Sequence, residues 1–261
     1  MIVVKSTYHK RALFLRRYNQ SMGEPKFSYA TWLRDSRRTY GLVGTLSGLA
    51  RGTYELLRDS LPSRRRLRYG DLDYDCDHRV DTTWSNVSFA TRVREVFVGR
   101  GYQPTDPFIF REMMEHVPAD LRGYTFIDLG SGKGRALLLA REYPFSRIVG
   151  MELLPELHSV ARQNIQRLPP EEQAGFELVC GDARQFVFPP GPLFLYLFDP
   201  FTAPILTKVI ANLERSLSDN PRPVLIGYQN PISERVITAS ARFGKISGTM
   251  QWALFGLKPE A

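Results

Sequence analysis

The alternation of apolar and polar segments predicts a regular succession of strands and helices from residue 125 to the end of the chain. Short apolar runs rich in β-branched and aromatic residues predict strands at 125–129, 147–152, 176–180, 193–198 and 223–229. Segments with helical spacing of apolar residues predict helices at 133–143, 154–168, 204–219 and 232–242. This alternation indicates a doubly wound parallel α/β sheet. Residues 244–257 contain two apolar runs without a helix between them, so we expect an antiparallel final strand pair.

The residues before this succession are less regular. Apolar groups at 12–15 and 40–57 predict short helices, and four glycines weaken the second one, because each costs a helix about 1 kcal/mol relative to alanine. A clear helix start follows at Asp106 and Pro107, and Pro118 predicts its end. We therefore predict a basic, partly helical extension over 1–100 and one α/β domain over 101–261.

Charge separates the same two regions. The chain of 261 residues has a formal net charge of +8, and residues 1–70 alone carry 15 Lys and Arg against 4 Asp and Glu. Such a basic region indicates an anionic partner, which is a nucleic acid, an acidic protein or a membrane surface. A solvated basic face that only maintains solubility is equally consistent with this charge.

Cysteine content and hydropathy narrow the class of protein. Cys76 and Cys180 are too far apart for metal-type spacing, and no apolar run is long enough to span a bilayer. The acidic segment 71–81 has alternating aspartates at 71–77 but lacks the glycine and the glutamate of a calcium loop. We therefore expect a turn-rich segment that pairs with the arginines at 64–68. The sequence thus predicts a cytoplasmic protein that is not an integral membrane protein and has no metal site.

A glycine turn follows the first predicted strand of the sheet. Gly130, Gly132 and Gly134 alternate between Asp128, which ends the strand, and a segment of helix formers. Bare backbone amides at the start of a helix suit a nucleoside-containing cofactor, although a turn that merely connects strand to helix has the same composition.

Acidic residues also close the next strands. Glu152 ends the second strand, Asp182 follows the third and Asp199 follows the fourth. Ligands of such sheets lie outside the carboxyl ends of the strands, where these carboxylates are expected to converge. A carboxylate there can accept hydrogen bonds from ribose hydroxyls or from an adenine amino group. Each residue taken alone is also consistent with a loop cap.

These residues resemble the motifs of class I S-adenosylmethionine-dependent methyltransferases over residues 102–257. The first motif is similar to residues 128–134, DLGSGKG, and the fourth to Asp199, Pro200 and Phe201. DLGSGKGR, with VDT upstream and YQPT before the first helix of the domain, is similar to a bacterial group without an assigned substrate. The YQPT segment also resembles the one that precedes the first motif in non-SET protein-lysine methyltransferases.

The resemblance implies a seven-stranded Rossmann-like sheet, S-adenosylmethionine as cofactor, and a set of site residues. It implies cofactor-binding roles for Thr105, Asp128, Gly130, Ser131, Gly132, Gly134, Glu152, Leu153, Asp182, Ala183 and Asp199. It implies catalytic roles for Asp199, Pro200, Phe201 and Tyr102.

The identity of the methyl acceptor is the least constrained of these expectations. Amino-methylating members have Asn or Asp followed by two prolines and an aromatic residue, whereas this chain has DPFT with a single proline. Because the acid, one proline and the aromatic residue of that motif are present, the resemblance favours a nitrogen acceptor, which is a protein lysine, a nucleic acid or a small amine. A non-catalytic cofactor-binding or anion-binding module remains an alternative. An NAD-dependent dehydrogenase is a weaker one, because Arg135 stands where a dinucleotide site needs glycine or alanine.

Overall fold

The computed structural model describes residues 29–59, 72–83 and 102–259. A seven-stranded sheet forms the centre of the last range. Its strands are β1 (Thr125–Leu129), β2 (Arg147–Glu152), β3 (Phe176–Cys180), β4 (Leu193–Phe198), β5 (Val224–Gln229), β6 (Phe243–Gly248) and β7 (Trp252–Leu257). The strand order is β3-β2-β1-β4-β5-β7-β6, and only the pairings of β7 with β5 and with β6 are antiparallel. The predicted doubly wound sheet with an antiparallel final pair is confirmed.

Helices cover both faces of this sheet and precede it in the chain. They are α1 (Tyr29–Asp59), α2 (Leu72–His78), α3 (Pro107–Glu115), α4 (Arg135–Ala140), α5 (Pro155–Gln166), α6 (Pro170–Gln173), α7 (Ala203–Asp219) and α8 (Glu234–Thr238). The predicted start of α3 is confirmed in detail, since an Asp106 carboxylate oxygen accepts from the amide of Phe108 at 2.8 Å and from that of Ile109 at 3.3 Å.

The core consists of two apolar layers, one on each face of the central strands. Ile127 of β1 belongs to the layer that includes Val209 of α7, whereas the adjacent Phe126 belongs to the layer of Phe110 on α3 and Leu137 on α4. All five residues of β1 are buried. Burial on both faces explains why the parallel strands are almost continuously apolar. These continuous apolar runs are the pattern that predicts the strands from the sequence.

Helices α1 and α2 differ from the expectations. Helix α1 is 31 residues long and continues through its glycines, with a kink at Gly41, where φ is 69°. Residues 72–78 form a helix instead of a turn, and Asp73 and Asp75 lie in its first turn, where carboxylates favour the helix dipole. The predicted helix at 12–15 and the arginines at 64–68 lie outside the described residues. Among the helices that the structure describes, none is long and apolar enough to cross a membrane.

The strand order reverses at β1, whose neighbours are β2 and β4. Crossovers leave β1 and β4 in opposite directions, which opens a crevice at the carboxyl ends of these strands. The turn after β1 and the loop after β4 therefore border the same crevice.

Candidate functional site

The turn between β1 and α4 is built from three glycines with left-handed backbones. The φ angles are 93° at Gly130, 53° at Gly132 and 88° at Gly134. The amides of Gly130 and Ser131 donate to the carbonyl of Met151 at 2.8 and 3.0 Å, which ties the turn to the end of β2. Because side chains are strained at such φ values, glycine is needed at these positions.

Glu152 lies against this turn. One oxygen of its carboxylate accepts from the amide of Gly132 at 2.9 Å, and the other accepts from the amide of Leu154 at 2.8 Å. Burial raises the pKa of Glu152, whereas the amide donors of Leu154, Gly132 and Leu153 favour its charged form. The structure thus brings the acid of the second strand to the glycine turn.

Asp128 is a second buried acid beside Glu152. It is the fourth residue of β1 and is only 4% exposed. Burial, reinforced by the charge of Glu152, raises the pKa of Asp128 well above its usual range. The site therefore contains two carboxyl groups in a poorly solvated environment.

Asp182 and Ala183 follow β3 and begin a short 3-10 turn. One oxygen of the Asp182 carboxylate accepts from the amide of Arg184 at 2.9 Å, and both oxygens accept from its guanidinium. Ala183 is buried in the core. In this arrangement Arg184 takes up the acceptor capacity of Asp182, so contact with an adenine amino group requires that the half-exposed guanidinium moves away.

The loop after β4 lies across the crevice from the glycine turn. A Cβ atom added to Gly130 would come within 2.6 Å of the Cβ of Pro200, so the two loops touch. Phe201 packs against the core. Asp199 has a left-handed backbone with φ 39°, a conformation uncommon outside glycine that the short polar side chain of Asp tolerates.

Tyr228, at the end of β5, is a neighbour of Asp199 that the sequence analysis missed. Its hydroxyl donates to an oxygen of Asp199 at 3.3 Å and accepts from the amide of Ser233 at 3.3 Å. Burial, with the charge of Asp199, raises the pKa of Tyr228 to about 12, so its hydroxyl stays protonated as a donor. In the sequence, a tyrosine near the end of an apolar strand is expected to be a core residue. The contact between Tyr228 and Asp199 becomes apparent only when β4 and β5 are known to be neighbours.

Tyr102 and Thr105 lie in different parts of the site. The hydroxyl of Tyr102 donates to the carbonyl of Thr82 at 2.5 Å, and its ring lies beside Gly132. Thr105 is buried, and its hydroxyl is 3.3 Å from that of Tyr196. Tyr102 therefore contacts the glycine turn, whereas Thr105 lies near the ends of the central strands. The catalytic role of Tyr102 stays a prediction.

From the sequence, no role is predicted for Lys133 and Arg135, the two cationic residues of the glycine turn. Lys133 and Arg135 are each 1% exposed, and both reach residues 75–83. Lys133 binds Asp81 at 2.7 Å and Arg135 binds Asp75 at 3.1 Å. Asp75 and Asp81 thus pair with cations of the glycine turn. The expected pairing of the acidic segment with the arginines at 64–68 lies outside the described residues and stays a prediction. The predicted domain boundary at residue 100 stays a prediction. Asp75 and Asp81, which precede this boundary, contact the glycine turn that follows it.

Helix α1 also reaches the site. The hydroxyl of Tyr40 donates to the side chain of Thr202 at 2.9 Å, directly after the loop formed by Asp199, Pro200 and Phe201. Sequence spacing gave no signal for this contact, because 162 residues separate the two partners.

Comparison with protein families gives one match, to the central part of the chain. Residues 127–196, which include the glycine turn, Glu152 and Asp182, match the family model described as "Methyltransferase domain". Over these residues the chain is similar to methyltransferase domains. Its sheet has the reversed final strand expected for the class I methyltransferase fold. The comparison with curated proteins found no match.

Several solved structures are similar to this chain. The glycopeptide N-methyltransferase MtfA complexed with S-adenosyl-L-homocysteine has 12% sequence identity and a TM-score of 0.48, with 66% of this chain and 98% of that chain covered. The putative methyltransferase yhhF from Escherichia coli has 15% identity and a TM-score of 0.47, with coverages of 62% and 96%. The PH0226 protein from Pyrococcus horikoshii OT3 has 16% identity and a TM-score of 0.46, with coverages of 71% and 99%.

Proposed function

We propose that this protein transfers the methyl group of S-adenosylmethionine to a nitrogen acceptor. The observation that carries the proposal is the position of Glu152, whose carboxylate contacts the Gly132 amide at 2.9 Å inside the segment that matches the methyltransferase model. A buried acid at a glycine turn offers ribose acceptors and bare amides at one place.

The residues present fit this cofactor. The amides of Gly132, Leu153 and Leu154 donate to the Glu152 carboxylate, which has about four acceptor positions and so keeps capacity for a ribose hydroxyl. Asp182 would accept from the adenine amino group once Arg184 moves, and Leu153 and Ala183 would flank the adenosine. S-adenosylmethionine supplies an activated methyl group on a sulfonium, so the remaining task of the protein is orientation, which contributes several kcal/mol.

Asp199 is the candidate for orienting the acceptor. Its carboxylate is buried at the crevice, and the Tyr228 hydroxyl fixes one of its oxygens. A carboxylate in this position accepts hydrogen bonds from an amine and directs the nitrogen lone pair toward the methyl group. The Pro200 carbonyl and the Phe201 ring complete the proposed acceptor side. A protein lysine, a nucleic acid base and a small amine all satisfy this chemistry.

The alternatives receive less support from the same residues. A dinucleotide site needs a small residue at position 135 for close packing, whereas Arg135 is buried and bound to Asp75. A non-catalytic module has no need of a buried carboxylate at Asp199 beside the crevice. Binding of an anionic partner by the basic residues 1–70 rests on charge alone. Bacterial origin and a cytoplasmic location also stay predictions.

Two measurements test the proposal on the full chain. Calorimetry should detect binding of S-adenosylmethionine and of its demethylated product, and no binding of NAD. Incubation of the protein with labelled methyl donor and fractionated lysate should then place label in protein, nucleic acid or small molecules, which identifies the acceptor class. Absence of binding by both adenosyl compounds refutes the function, and label on oxygen or carbon refutes the nitrogen acceptor.

A further inference from the structure

We propose that Lys133 and Arg135 are positioning residues, which hold the glycine turn in its cofactor-binding shape by anchoring it to residues 75–83, hereafter the clasp. This inference rests on the proposed function, because it concerns the same cofactor site. It assigns a role to the two cations of the first motif and to an acidic segment that lies about 50 residues before that motif.

The turn does not fix its own shape. Its three glycines all have positive φ, and glycine backbones lose the most conformational freedom on ordering. Contacts with Glu152 and Met151 restrain the turn on the side of β2. Lys133 lies between the second and third glycines and Arg135 follows the third, so contacts of these two side chains restrain the turn from a second direction.

Both cations make polar contacts with the clasp. The ammonium of Lys133 donates to the Asp81 carboxylate and to the Thr83 carbonyl, each at 2.7 Å. The guanidinium of Arg135 donates to the Thr82 hydroxyl at 2.6 Å and to Asp75 at 3.1 Å, and it lies over the ring of Tyr74 at 4.8 Å. Two residues of the turn thus make four polar contacts with one short segment.

The clasp is itself held in a defined shape. One oxygen of Asp75 accepts from the amides of Thr82 and Thr83 at 2.7 and 2.8 Å. The side-chain amide of Asn164 on α5, which is fully buried, accepts from the Asp81 amide at 2.9 Å and donates to the Asp81 carbonyl at 2.8 Å. The same amide group donates to the Lys133 carbonyl at 3.0 Å, so Asn164 joins the clasp directly to the backbone of the turn.

The energetics favour a positioning role over a contribution to stability. Removing two cations from water carries a large desolvation cost, and buried ion pairs are often no more stabilising than apolar residues of the same size. Such pairs do impose one geometry, because a displaced partner leaves an uncompensated buried charge. For a turn made of glycines, that geometric restraint is the property that cofactor binding requires.

The variant Asp81→Asn tests the proposal. It removes the charge partner of Lys133 but keeps the side-chain size and the backbone bonds to Asn164, and the Asp81 side chain is partly exposed, so the fold should tolerate it. Lys133→Met removes the cation itself. The matched control is Glu172→Gln, which breaks the 2.7 Å ion pair to Arg141 immediately after the other end of α4.

Two readouts separate positioning from a merely structural role. For Asp81→Asn and Lys133→Met we expect the Kd of S-adenosylhomocysteine to rise at least tenfold, about 1.4 kcal/mol, and the KM for the methyl donor to rise far more than kcat falls. Glu172→Gln should stay within twofold of the wild type. A lower melting temperature with an unchanged Kd in Asp81→Asn overturns the proposal, and if Lys133→Met does not fold, Asp81→Asn alone decides.

Hydrogen exchange in the absence of ligand keeps this test distinct from that of the proposed function. We expect the amides of Gly132 and Gly134, which are hydrogen-bonded to Glu152 and to the Ser131 carbonyl, to exchange faster in Asp81→Asn than in the wild type. Unchanged exchange at both amides overturns the clasp. Failure of the wild type to bind either adenosyl compound refutes the methyltransferase function, while the exchange result still decides whether the clasp holds the turn.

Discussion

Replacement of Gly132 by alanine should destabilise the protein even when no cofactor is present. A glycine in a cofactor turn is usually explained by the space that the ligand needs. Here the space beside Gly132 is occupied by the protein itself, because an added Cβ atom would lie 2.3 Å from the Cε2 atom of Tyr102. The ring cannot move away freely, since its hydroxyl is bonded to the carbonyl of Thr82 at 2.5 Å.

Two costs combine to give the expected magnitude. Alanine at the φ of 53° found for Gly132 costs roughly 1–2 kcal/mol. Displacing the packed ring of Tyr102 adds overpacking of about 1–3 kcal/mol. Gly123 provides a control that carries only the first cost, because its φ is 85° and an added Cβ would have nothing within 4 Å. Gly132→Ala should therefore be less stable than Gly123→Ala by about 1–3 kcal/mol.

Thermal unfolding of the ligand-free protein measures this difference. For a domain of this size each kcal/mol lowers Tm by about 2–4 °C, so Gly132→Ala should melt at least about 2 °C below Gly123→Ala. In a Tyr102→Ala background the further loss caused by Gly132→Ala should fall to that of the control. Equal melting temperatures for the two glycine variants would refute the reasoning. In that case only the space needed by the cofactor would explain the glycine at position 132.

The acidic residues of the site give three further predictions. In Glu152→Gln the side-chain NH₂ group faces the backbone N–H of Gly132 or Leu154, so one hydrogen bond to a charged acceptor is lost. The Kd of S-adenosylmethionine measured by calorimetry should therefore rise roughly ten- to hundredfold, and an unchanged Kd contradicts this. Folding raises the pKa of Asp128, so its contribution to stability is full below the unfolded pKa and is lost as the pH rises through the folded pKa. Asp128→Asn does not ionise, so its Tm relative to the wild type should increase from pH 4 to pH 8, and a difference independent of pH argues against a buried acid. Asp199→Ala should lower kcat about 100-fold or more in a methyl-transfer assay with little change in cofactor affinity, whereas an equal loss of affinity would reassign Asp199 to binding.

The sheet was predictable because its signal is local. Strands buried on both faces have to be apolar along their whole length, and the predicted ranges agree with β1 to β5 to within one residue. The carboxyl-end rule then places the residues that close these strands at one edge without any further information. Glu152 beside the glycine turn follows from these two facts alone.

Helix α1 was underestimated for a physical reason. Four glycines disfavour a helix by intrinsic propensity, but propensity is outweighed when tertiary contacts hold the helix in place. The Tyr40 hydroxyl reaches Thr202, and the buried hydroxyls of Ser36 and Thr45 lie 3.1 Å apart across the kink. Only the kink at Gly41, where the φ of 69° suits glycine, reflects the composition.

Charge was the most visible feature of the sequence, yet the charges that shape the described site lie elsewhere. The net charge is concentrated in residues 1–70, whereas Lys133 and Arg135 belong to a region with a slight acidic excess and find their partners 52 and 60 residues earlier in the chain. The net charge of a protein bears on its solubility and on its association with charged partners, because solvated side chains dominate the sum. Buried pairs cancel in that sum, so composition cannot reveal cations such as Lys133 and Arg135, which pair with Asp81 and Asp75.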